Sequence, residues 1–107
     1  MANSFKNAKV DLTTTNATTL YTAPNTARAI IKSILVSEDS GNADTITVTL
    51  TNASSAVFSL FKVKAVAANT TIELLTAPLV VTESEIIKVT AATANRLHVV
   101  ASLLEVS

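Results

Sequence analysis

The sequence predicts an all-β fold: a single antiparallel β-sandwich of about seven or eight strands, with jelly-roll or immunoglobulin-like connectivity. Three observations predict it. Val, Ile and Thr fill apolar and polar positions alike, and β-branched side chains suit a pleated surface. Short alternating segments are separated by small polar clusters, at the spacing expected of a sandwich or barrel. The stretch DTITVTLTN, Asp44 to Asn52, alternates without a slip: Ile46, Val48 and Leu50 take one parity, and Thr45, Thr47, Thr49 and Thr51 the other. A chain of 107 residues is read as one domain covering 1–107, long enough for a single core but not for two.

Taken in order, an extended N-terminal segment runs from Phe5 to Thr14. The short strand TTLYTA follows and stops at Pro24, because proline lacks the amide donor a strand interior needs. The most apolar strand, RAIIKSILVS, spans Arg28 to Ser37, and the loop EDSGNAD turns it into the Thr-alternating strand. AVFSLFKVKAV is read as a strand pairing back in a hairpin, although Val57, Leu60, Phe61, Lys64 and Ala68 also fit a helical stripe. TTIELL, EIIKVTA and RLHVVASLLEV complete the set. Gly41 is the only glycine, and Asn-rich turns take the place of glycine turns, since Asn tolerates the left-handed conformation.

Two strands are apolar on both parities. Ala29, Ile31 and Leu35 oppose Ile30, Ile34 and Val36; near the end, Leu97, Val99, Ala101 and Leu103 oppose Val100, Leu104 and Val106. A sandwich strand buries one face, and monomers rarely leave contiguous apolar surface in water. Ile30, Ile34, Val36, Val100 and Leu104 are therefore the candidate seam between copies of the chain, which predicts a homo-oligomer.

Eight basic and eight acidic residues cancel, so no positive surface is on offer to nucleic acid. No window approaches the ~20 apolar residues of a membrane span, and MANSFKNAKVDLTTT holds no signal-peptide core. Without cysteine there is no disulfide framework or thiolate chemistry. His98 is the one histidine, with no nucleophile or orienting acid nominated beside it. Glu38, Asp39, Asn42 and Asp44 crowd one loop, but the glycine comes too early for a helix-flanked calcium loop and the closing bidentate Glu is missing. Glu83 and Glu85 fall in a turn rather than across a cleft. Sugar-binding modules stack rings on exposed aromatics; here Phe58 and Phe61 read as core, which leaves Tyr21 alone as a platform. No catalytic residue, metal ligand or cofactor is expected.

The segments MANSFKNA, TTLYTAPNTARAIIKSILVSE with its YTAP corner, TITVTL and VVASLLEVS together resemble a type of small β-sandwich virion protein encoded by tailed bacteriophages, cyanophages and other marine phages among them. The likeness covers nearly the whole chain. It departs where TESEIIKV carries Ser84-Glu85 in place of a Gly-Asp turn, and where AVAANTT lacks a Pro or Gly. The resemblance implies a non-enzymatic virion subunit, assembled in the host cytoplasm. The role implied is capsid decoration or cement, commonly trimeric and bound to the major capsid protein, or else a place in the neck or tail.

Overall fold

The computed structural model describes residues 3–107, so the first two residues of the MANSFKNA opening lie outside it. Nine strands are found among the described residues. They are β1 (Asn3–Asp11), β2 (Thr18–Thr22), β3 (Arg28–Glu38), β4 (Asp44–Thr51), β5 (Val57–Val66), β6 (Thr71–Glu73), β7 (Leu79–Val81), β8 (Ile86–Ala91) and β9 (Leu97–Val106). Eight correspond to sequence expectations. The three-residue β7 was not anticipated, being too short to show an alternation. The segment with a helical stripe is the strand β5.

One sheet has the order β1-β9-β3, with β6 and β7 sharing the outer edge of β3; the other runs β2-β8-β4-β5. Every pairing is antiparallel. The pairings nest: β1 with β9, β2 with β8, β3 with β6 and β7, β4 with β5. A long hairpin rolled onto itself in this way is a jelly roll, which settles the connectivity that the sequence left open.

The core lies between the sheets. Ile46 and Val48 of β4, Ile87, Val89 and Ala91 of β8, and Leu97, Val99, Ala101 and Leu103 of β9 meet Ala29, Ile31, Ile34 and Val36 of β3. In β4 the alternation holds as read, with the threonines half-buried on the outer side.

In β3 the alternation does not hold. Ile31 pairs with Leu103 and Ser33 with Ser102, so Lys32 is an extra residue bulged out of the ladder. One inserted residue exchanges the inward and outward sets beyond it. Ala29 and Ile31 point inward before the bulge; Ile34 and Val36 point inward after it, both fully buried. Neither is available to a second chain, which corrects their assignment to the seam. Leu35, placed by simple alternation with the buried set, lies outside.

The turns show which residues replace glycine. Asn69, Asn95, Ser55 and Ser84 take positive φ, as Gly41 does. Ser84 does so at the turn before β8, where the resembled proteins would place glycine. Val63 also takes positive φ, at 54°; a β-branched side chain is unfavourable there, and its amide donates to the side-chain Oγ1 of Thr47 in β4 at 3.0 Å.

A candidate docking face

Directly opposed residues in an antiparallel pair project to the same side of the sheet. On the outer side of the first sheet the registers therefore build rows that run across the strands. Phe5 opposes Leu104, Leu104 opposes Ile30, and Ile30 opposes Val80. This apolar row runs from edge to edge and carries 78% exposure at Phe5 and 53% at Val80. The next row is small and polar: Asn7, Ser102, Ser33. A third holds Lys9, Val100, Leu35 and Glu73, apolar in the middle with opposite charges at its ends. The fourth is Asp11, His98, Ser37 and Thr71.

Three of the predicted seam residues, Ile30, Val100 and Leu104, lie together on this face. Phe5, Leu35 and Val80 belong with them. The sequence carried a signal for Phe5, which has parity opposite to the inward Ala8 and Val10; none marked Val80.

Two charges on this face are held in place, Lys32 on the interior strand β3 and Glu73 at the edge. Lys32, thrown outward by the bulge, sits with its Nζ 5.8 Å from the Phe5 ring centroid, within cation–π range. Glu73 accepts from the Ser33 hydroxyl, from the Ile34 amide at 2.8 Å and from the Leu75 amide at 3.1 Å. Burial works to raise this carboxyl, but those hydrogen bonds outweigh it and hold it below the usual range. Glu73 thus stays ionised and fixed at the edge of β3.

Three further carboxylates, Glu38, Asp44 and Glu105, tie separate elements together. The Glu38 carboxylate accepts from the amides of Ser40 (2.9 Å), Gly41 (3.0 Å), Asn42 (3.2 Å) and Asn69 (3.1 Å) and from the Ser40 hydroxyl. Desolvation opposes ionisation, yet the bonds from Ser40, Asn69 and Gly41 prevail and bring its pKa down to about 2. The acidic loop is therefore organised by its own first residue. Asp44 accepts from the Thr93 amide at 3.1 Å, and Asp39 Oδ1 lies 3.3 Å from His98 Nε2. No group of three or more His, Asp or Glu among the described residues is arranged to hold a metal ion.

At the opposite end of the sandwich, the Tyr21 hydroxyl donates to Glu105 Oε2 at 2.6 Å, joining the two sheets, while Lys6 Nζ lies 2.9 Å from Glu105 Oε1. The Tyr21 ring packs against the core. That removes it as a sugar-stacking platform. His98 faces carboxylates on both sides, with Nδ1 3.4 Å from Asp11.

A second apolar surface follows the edge strand β5. Val57, Phe58 and Val63 are well exposed. Phe58 was expected in the core; it sits near the start of this edge strand at 53% exposure, whereas Phe61 does pack against the core. A groove beside it is lined by Leu60, Phe61, Leu74, Leu75, Pro78 and Leu79.

No family model matches the chain, and no curated protein does so. Among solved structures it is similar to a chain of the cyanophage Pam1 capsid asymmetric unit: 19% identity, 96% of this chain and 83% of that one covered, TM-score 0.44. It is also similar to a chain in the structure of infectious bursal disease virus, Gt strain: 11% identity, 98% of this chain covered, TM-score 0.45. This chain spans 30% of that second one.

Proposed function

We propose that the chain is a non-enzymatic structural subunit of a tailed-phage particle, and that its place is on the head as a capsid decoration or cement subunit. The observation that carries this is the apolar row Phe5–Leu104–Ile30–Val80, which crosses the sheet with its two ends exposed and its middle half-buried. Monomers seldom leave contiguous apolar surface exposed. A subunit of a shell needs at least two contacts, one toward its like and one toward the particle, and the exposed β5 edge supplies a separate second surface. The segment-by-segment resemblance to small β-sandwich virion proteins supports the same role. The balanced charge suits contacts with protein rather than with the packaged nucleic acid.

The test is the copy number of the chain in purified particles of its source phage, by quantitative mass spectrometry against the major capsid protein. A count comparable to the capsid subunit is expected. A handful of copies would move the subunit to the neck or tail, and none would overturn the particle role.

A further inference from the structure

We infer that the outer face of the first sheet binds the same face of a second copy, about a two-fold axis lying in the interface and parallel to the strands. The face has four strand positions, β1, β9, β3 and the shared β6/β7 edge. A two-fold along the strands sets β1 over the partner's β6/β7 edge and β9 over its β3, while keeping each row over its own equivalent. Phe5 then meets the second copy's Val80, and Leu104 meets its Ile30. Val100 meets Leu35, and the small Ser102 meets Ser33. Lys9 meets the second copy's Glu73, and the symmetry makes that ion pair twice. The other in-plane two-fold, across the strands at the Ser102 row, would set Leu104 over Val100 and Ile30 over Leu35, but would put Phe5 on Lys9 and Val80 on Glu73. Of the two, the first alone keeps the apolar rows on each other and sets Lys9 against Glu73.

Size agrees with this occupant. Four strands at ~4.8 Å and about ten residues at ~3.4 Å give roughly 650 Å² of projected face, close to the ~800 Å² that each side of a stable complex contributes. Sheets packed face to face this way are the ordinary aligned sandwich contact. Self-complementary contact of one patch with itself closes at two copies, rather than at the three that the resemblance implies.

The inference names the like-with-like surface of the proposed particle subunit and rests on that reading only so far. Its test uses the isolated full chain, so its failure would leave the copy-number result untouched. Sedimentation equilibrium of the wild-type chain is expected to show a monomer–dimer equilibrium. Val80→Lys and Lys9→Glu are each expected to raise the dissociation constant by at least about tenfold. Lys62→Glu and Val63→Lys, on the exposed β5, should leave it within about twofold, with circular dichroism confirming that all four variants fold. Because the chain has no cysteine, Ser33→Cys and Ser102→Cys chains can be mixed with a short bismaleimide. The mixed pair is expected to cross-link faster than either variant alone. A wild-type chain that stays monomeric at hundreds of micromolar, a trimer, or equal weakening by the β5 variants would overturn the inference.

Discussion

Truncating Ile34 and Ile30 to alanine, one at a time, tests the bulge that reverses β3. Ile34 is fully buried in the core. Its truncation removes three carbons, worth about 2.4 kcal/mol at ~0.8 kcal/mol per buried methylene. The enclosed cavity adds about 1.5 kcal/mol if the site collapses only partly, at ~24 cal/mol per Å³. Ile34→Ala should thus cost about 4 kcal/mol. Ile30 lies on the outer face, half-buried among neighbours in its row, so no closed cavity forms and Ile30→Ala should cost about 1 kcal/mol. For a domain near this size, each kcal/mol moves Tm by roughly 4–8 °C. The expected drops are more than about 15 °C for Ile34→Ala and about 5 °C for Ile30→Ala. Urea and thermal unfolding followed by far-UV circular dichroism, at concentrations low enough to keep copies apart, would measure both. Equal costs would refute the assignment, since unbroken alternation puts the two residues on the same side.

The single tyrosine gives a direct optical reading of the inter-sheet tie. Burial, and then the hydrogen bond to and charge of Glu105, push the Tyr21 hydroxyl above its ordinary pKa of 10.0. Tyrosinate absorbance should therefore be missing from the folded chain at pH 10–11 and return on unfolding. The folded pKa is the higher one, so this contribution to stability is complete below pH 10 and declines above it; Tyr21→Phe should lose about 1–2 kcal/mol at neutral pH. For Glu38 the sign is opposite: its folded pKa of about 2 lies below the ordinary 4.5, so its contribution is complete above pH 4.5 and disappears toward pH 2. Glu38→Gln should flatten the acid limb of the stability curve over that window and speed amide exchange at Ser40, Gly41, Asn42 and Asn69; an unchanged limb would count against the loop's dependence on this carboxylate. Val63→Asn should raise stability by up to about 1 kcal/mol, because it relieves a β-branched residue at positive φ with little packing to lose. A lower Tm in that variant would mean that the exposed valine makes contacts outweighing its strain.

What could be read from the sequence depended on whether a strand's two faces differ in chemistry. β4 alternates apolar against hydroxyl from Thr45 to Thr51, and its burial follows those letters from Thr45 to Thr49. β3 offers Ile30, Ile31, Ile34, Leu35 and Val36, so its composition says that it is a central strand but not which residue faces which way. A bulge at Lys32 leaves no trace in such a pattern, and Ile34 and Val36 were placed on the wrong side for that reason. β9 is as apolar, but has no bulge, and the inward set Leu97, Val99, Ala101 and Leu103 was separable. The docking face was only partly visible, because its rows exist through pairings between residues as distant as Phe5 and Leu104. Val80 was hidden for a simpler reason: a three-residue strand shows no period.

The nested pairing also sets a timetable. β9 lies between β1 and β3, and Asn3 pairs with Val106. A ribosome adding ~5–20 residues per second therefore finishes the first strand several seconds before its neighbour exists. The β4–β5 hairpin can close within microseconds of emerging, yet β1 and one edge of β3 must wait for the last strand to be made. During that interval the inner apolar faces of a half-built sandwich stand open to water and to other nascent chains. Closure of the first sheet thus has to wait for β9 and, with ladders of such long sequence separation, is slow. What shelters β1 and β3 in those seconds therefore bears on the yield of the chain alongside the stability of the finished fold.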